Sequence, residues 1–269
     1  MFLRFEATMN GKKFSSIAEE VILRDIVEQP ATVDTALSRI AGRPGQRLSA
    51  QTRTALSVRL VYNIRSRDIA RRSAVRDLVA KWARDGGMLE INSRPGKHLY
   101  VVADAAPALD SSLKWTQDLS LTLTAYEQPY WVDNIPAESY VDTALKNDGS
   151  GDYASSFASL TIGGTVDFVP VNCTITNVGS KTLTRVKIEV NNTHIELSGM
   201  SVDPGGVIMI EHVRGILMIY NLMDSAITYL YARTPQSSDE LLGKVGYNNV
   251  NIESNSMVSV ALYGAGWWL

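Results

Sequence analysis

From Val166 to Tyr263 the chain is written almost entirely in period two. Residues 166–176, 183–190, 194–197, 207–212, 215–220, 227–232, 250–253 and 257–263 are short runs of alternating or β-branched side chains. Gly199, Asp203-Pro204-Gly205-Gly206, Thr234-Pro235 and Gly246 stand between them. No helix-period stretch competes, so this half is predicted to fold as about eight strands in a β-sandwich, most simply a jelly roll. In 183–190, Val186, Ile188 and Val190 share one face, and Arg185, Lys187 and Glu189 the other. In 257–263 the face of Val258, Val260 and Leu262 is expected to meet the core. Cys173 shares a face with Val169, Val171 and Ile175, which predicts a buried, inert thiol.

The first half reads differently. Strand patterns are expected at Met1 to Ala7, around Val21 to Val27, and at 54–64, where Leu56, Val58, Leu60, Tyr62 and Ile64 share one face. Asn10-Gly11 is a turn signal. Arg39 to Arg47, with Gly42, Pro44 and Gly45, is a basic loop suited to an arm or to a turn that meets a neighbour. A helix is predicted from about Ser66 to Arg84, its core stripe formed by Val75, Leu78, Val79 and Trp82, stopped by Asp85-Gly86-Gly87. Trp82 is expected to be buried. Met88 to Asn92 and His98 to Ala103 form a hairpin pattern. Leu119, Leu121, Leu123 and Ala125 then alternate with Ser120, Thr122 and Thr124 until Pro129 ends the strand. The fold class is therefore mainly β with one helix, an N-terminal α+β domain followed by the sandwich.

Charge divides the chain at the same place. Residues 1–131 hold 19 Lys+Arg and 14 Asp+Glu, a balance of +5, and residues 132–269 hold 7 and 14, a balance of −7, which together give the −2 of the whole. Two domains of this size match the common range of about 100–150 residues. The expected boundaries are 1–134, 135–263 and a tail, 264–269, that returns to the first domain. Trp267, Trp268 and Leu269 would otherwise form a costly exposed end. They are expected to dock near Tyr130 and Trp131 as inter-domain packing.

The sequence offers little chemistry. His194 and Glu196 share a strand face and could hold a metal with His98 or His212, but polar side chains solvated on a sandwich surface fit the pattern better. No nucleophile elbow, phosphate loop or zinc spacing is present, and Gly163-Gly164 reads as a turn. No enzyme and no cofactor is expected. Residues 39–84 hold twelve Lys+Arg and two Asp+Glu. They lack interleaved aromatics, so contacts to a protein neighbour or a channel lining are preferred to tight nucleic-acid binding. Arg43, Arg47, Arg67, Arg71 and Arg72 are the candidates for that role. Met1-Phe2-Leu3 meets Arg4 and Glu6 before any apolar run, so neither a secretory leader nor a membrane span is expected. Synthesis in a reducing cytoplasm follows, and the triplets at Asn172 and Asn191 are then incidental.

Four segments together resemble one family. They are MFLRF at the start, GRPGQRLSAQTRTALSVRLVYNI with the Arg-rich helix after it, WTQDLSLTLTAYEQPYW, and the ending Gly246-Tyr247-Asn248-Asn249-Val250 with Gly266-Trp267-Trp268-Leu269. In these the chain resembles the distal tail proteins of siphophages, the tail-tip or baseplate hub family. The resemblance spans nearly the whole chain through loose motifs. It departs in the unusual arginine content of residues 67–84. It implies a virion structural protein at the tail tip, made in the bacterial host cytoplasm. The N-terminal domain would form a hexameric ring, and the second domain would be a galectin-like sandwich. The implied partners are further copies of the chain, the tail tube protein, the tail-tip or tail-associated lysin protein, and receptor-binding proteins docked on the sandwich. The alternatives are a carbohydrate-binding tail or cell-surface module and a basic protein that contacts nucleic acid. The His-x-Asn-Pro-Arg pattern of galectins is absent.

Overall fold

A computed structural model describes residues 5–38, 47–105, 116–146, 148–155, 158–213, 216–222 and 232–269, with backbone alone at 37–38, 47–52 and 116–118. Residues 39–46, most of the expected strand 227–232, and the first four residues lie outside that description. The chain divides into two compact units, one ending at Val132 and including Leu269, the other Asp133–Trp268.

In the first unit, β1 (Ala7–Met9) and β2 (Lys12–Lys13) flank Asn10-Gly11. Both turn residues have positive φ, 49° and 77°, as a tight two-residue hairpin turn requires. Then follow β3 (Val21–Gln29), β4 (Val33–Ser38), β5 (Arg47–Arg53), β6 (Leu56–Ile64), α1 (Ile69–Ala83), β7 (Gly87–Ile91), β8 (Lys97–Ala103), β9 (Thr116–Ala125) and β10 (Trp131–Asp133). The main sheet runs β2-β1-β7-β8-β9-β6-β3. Its central strand β6 buries Leu56, Val58, Leu60, Tyr62 and Ile64, the face that alternation predicts. Strand β9 buries Leu121, Leu123 and Ala125 in the same way.

Helix α1 is shorter and differently rotated than its pattern suggests. It begins at Ile69, because the Asp68 carboxylate caps the Ala70 amide at 2.9 Å. It stops where Gly86 turns to φ +62°. Its buried residues are Arg72, Val75, Val79 and Ala83, while Leu78 is 41% exposed. Trp82 is half-buried at the margin. Its ring meets Phe14 edge-on at 5.1 Å and its N–H donates to the Lys12 carbonyl at 2.9 Å. The expected stripe included Leu78 because leucine is apolar. The inward stripe instead includes Arg72, whose long apolar stem packs as hydrocarbon does. Phe14 links the layers, with its ring 5.3 Å from Tyr62 on β6.

The second unit contains β11 (Ala137–Leu145), β12 (Tyr153–Ser155), β13 (Ala158–Ile162), β14 (Phe168–Asn177), β15 (Leu183–Val190) and β16 (Thr193–Val202). It continues with β17 (Val207–Val213), β18 (Ile216–Asn221), β19 (Leu242–Lys244), β20 (Gly246–Ser254), β21 (Val258–Gly264) and β22 (Trp267–Trp268). Antiparallel pairing runs β16-β15-β20-β12-β11-β21-β14-β17-β18, with β13 on β20 and β19 on β14. The two halves of that path share one core, which includes Val171, Cys173 and Ile175 from β14, Val186 and Ile188 from β15, Ile252 from β20, and Val258, Val260 and Leu262 from β21. This is the sandwich that the alternation predicts. Strands β5, β11, β12, β13 and β19, and the short β1, β2, β4, β10 and β22, do not follow from the sequence pattern.

Candidate functional site

The candidate arginines separate by position. Arg43 lies outside the described residues, and Arg47 opens β5 with its side chain outside them. Arg67 and Arg71 are exposed at the start of α1, whereas Arg72 is 2% exposed and points into its own unit. Arg71 is held by a two-pronged pair with Glu20, Nε–Oε1 2.6 Å and Nη2–Oε2 3.2 Å. That hydrogen bond holds the Glu20 carboxyl below the usual carboxylate range. Arg76 and Arg84 pair with the adjacent Asp77 and Asp85. Much of the cationic character of α1 is therefore matched by acids of the same unit.

Strands β4 and β5 form a sheet of their own, paired from Val33↔Arg53 to Ser38↔Arg47 with a one-residue register shift between Ala36 and Leu37. From Thr32 to Ala36 every residue is exposed, so inward and outward faces do not differ there. The ribbon is tied at its base, where the Thr54 amide donates to the Thr32 carbonyl at 2.8 Å and the two hydroxyls meet at 2.8 Å.

The four aromatics expected at a join occupy distinct places. Trp131 is fully buried in the first unit with the Arg94 guanidinium 5.5 Å from its ring centroid. Arg94 also pairs with Glu28 at 2.7 Å and donates to the Leu269 carbonyl at 3.0 Å. Tyr130 is half-buried beside it in sequence. In the second unit Trp267 packs on the sandwich core, and Trp268 donates from Nε1 to Asp133 Oδ1 at 2.8 Å. The Asp133 amide donates to the Gly266 carbonyl at 3.0 Å. Gly164, with φ +119°, lies so close to Trp267 that a Cβ would stand 2.6 Å from its carbonyl oxygen.

The sandwich has two unlike outer faces. Around β15 and β20 the charges are paired internally, Lys146 with Glu253 at 3.0 Å, Arg185 with Asp152 at 3.1 Å and Lys187 with Glu189 at 3.5 Å. The five strands β11, β21, β14, β17 and β18 contain no Lys or Arg. Across their outer face one row runs Tyr140, Ala261, Thr174, Met209, Tyr220. At its ends, Tyr140 donates to Glu138 Oε2 at 3.1 Å and Tyr220 to Glu211 Oε2 at 2.7 Å. Each carboxylate, by accepting the phenol's hydrogen bond, raises the pKa of its tyrosine. Sequence reasoning missed this face. Its signal was the absence of cations from strands that otherwise alternate normally.

Among the described residues no three His, Cys, Asp or Glu side chains gather as a metal site would require, and no helix is long and apolar enough to cross a membrane. His212 is half-buried, and burial lowers its pKa against the opposing pull of Glu240.

No protein-family model matches the chain, and no curated protein matches it. Solved structures do. The Dit protein of phage SPP1, described as a paradigm of the hub adsorption apparatus in phages infecting Gram-positive bacteria, aligns with 98% of this chain and 99% of its own, with TM-score 0.69 and 11% identity. The chain has the Dit fold. Two structures of the phage P2 baseplate in its activated conformation, with Ca and with Sr, match at TM-scores 0.53 and 0.52 and 8% identity. They cover 99% and 97% of this chain, and 98% and 97% of the matched chains. At such identities the likeness is one of fold. The alignment with the SPP1 protein spans both units of this chain, and the resemblance to siphophage distal tail proteins holds at the level of fold.

Proposed function

We propose that this protein is a structural component of a phage tail tip, a hub whose first unit closes into a hexameric ring. The observation that carries this reading is the match to the SPP1 Dit protein over 98% of this chain and 99% of that one. A match confined to the sandwich would speak only for a common β module. In this reading the ring joins the tail tube to the tail-tip or lysin protein, and the sandwich is a docking platform. In this reading the role is one of binding and shape.

The β4–β5 ribbon supports ring formation. A two-stranded hairpin alone is marginal in water. This one exposes Thr32 to Ala36 on both faces, so a neighbouring subunit would supply what its own chain does not. A ring requires a head-to-tail interface, which a projecting element provides. The first test is mass. Light scattering should give about 177 kDa, six times the 29.5 kDa chain, for the protein alone, or six copies of the chain in a complex with neighbouring tail proteins. Replacing residues 32–54 by a short Gly-Ser link should leave folded monomers. A native chain that stays monomeric under all these conditions refutes the ring.

A further inference from the structure

We propose that the outer face of β11, β21, β14, β17 and β18 docks a basic protein surface, gripping two of its arginines between paired tyrosines and carboxylates. This deepens the docking-platform reading by naming the face and the chemistry of the partner. The first observation is charge. Glu138 and Glu211 make no ion pair among the described residues, and their five strands carry no cation. On the other face Glu253, Asp152 and Glu189 are each matched by a lysine or arginine of the same unit.

The second observation is pairing. Each of the two acids holds a tyrosine hydroxyl through Oε2 and leaves Oε1 for a partner. Tyr140 is 70% exposed. A ring beside a carboxylate is what a guanidinium seeks, because it stacks on the ring and forks onto the oxygens. Lysine offers only a point charge to the same pair. Tyr140 and Tyr220 lie four strand intervals apart, about 19 Å. The gap between them is filled by Ala261, Thr174 and Met209, neutral residues that suit the centre of an interface. The absence of Lys and Arg from these five strands disfavours nucleic acid and anionic polymers.

The test uses the full chain and a synthetic probe, a peptide with two arginines about 19 Å apart on a rigid helix, titrated by calorimetry. Controls carry lysine or glutamate at those positions. Binding should follow the order arginine, lysine, glutamate, and should weaken as salt rises. The double variant E138Q/E211Q should lower arginine-peptide affinity about tenfold. Tyr140→Phe, which keeps the ring, should bind nearly as the parent does. Mass is measured on every variant. A hexamer indifferent to the peptide refutes the docking face and keeps the ring, and a monomer that binds it does the reverse. Equal binding of the arginine and glutamate peptides overturns the proposal. So does binding to a neutral glycan array that Tyr140→Ala abolishes and E138Q/E211Q leaves intact, which would assign the face to carbohydrate.

Discussion

At the scale of single residues, α1 offers the sharpest check, because neighbours in sequence have opposite environments. Val79 is fully buried and Leu78 is 41% exposed. Val79→Ala should cost roughly 2 kcal/mol, and the larger truncation Leu78→Ala less than about 1 kcal/mol. Chemical denaturation of each variant measures the pair, and a larger loss for Leu78 would mean that the helix is rotated. The thiol gives a second check. Cys173 sits at 1% exposure in the sandwich core, and burial pushes its pKa up. Since the thiolate is the reactive form, an aromatic disulfide reagent at pH 8 should leave the native thiol untouched and titrate one thiol per chain after unfolding. Rapid native reaction would show that the strand opens.

Among the elements, β20 to β22 show how tightly the sandwich closes. Gly163 and Gly164 are adjacent but unequal. A Cβ on Gly163 would meet only ordinary contacts at 3.7 and 3.8 Å, whereas one on Gly164 would strain a φ of +119° and strike the Trp267 carbonyl. Gly164→Ala should therefore cost more than about 1 kcal/mol and Gly163→Ala within about 0.5 kcal/mol, by thermal or denaturant unfolding. Similar losses would mean that Trp267 is not held there. Elements like β6, β15 and β21 were legible in the sequence because one face is core and the other water, so alternation is written directly into residue type. Strand β11 was not, since Ala137, Ser139, Val141 and Thr143 form a weakly apolar inner row. Helix α1 was legible as a helix but not in rotation, because a buried arginine reads as surface. The tyrosine–glutamate face was illegible for another reason: Glu138 and Tyr140 are neighbours in sequence, but Glu211 and Tyr220 join it only through pairing of five strands.

For the molecule as a whole, the second unit is closed by its own ends. Asp133 receives the Trp268 indole, and its amide donates to Gly266, so the points where the chain comes in and leaves are hydrogen-bonded to each other. A fragment of residues 133–268 should fold cooperatively by itself. Shortened to 133–263 it loses Trp267 from the core, a truncation worth about 3 kcal/mol, and should melt roughly 10 °C lower. Equal melting of the two fragments would show that the terminal tryptophans add nothing to the sandwich. The same closure bears on heredity. Recombination with crossovers near codons 133 and 268 trades one compact unit for another and cuts none of the ladders among β1 to β9. A crossover within β14, which pairs with β17, β19 and β21, breaks three ladders at once. Gene exchange among relatives is therefore expected to cut at those two codons, so that the second unit changes as a block while the first is inherited intact.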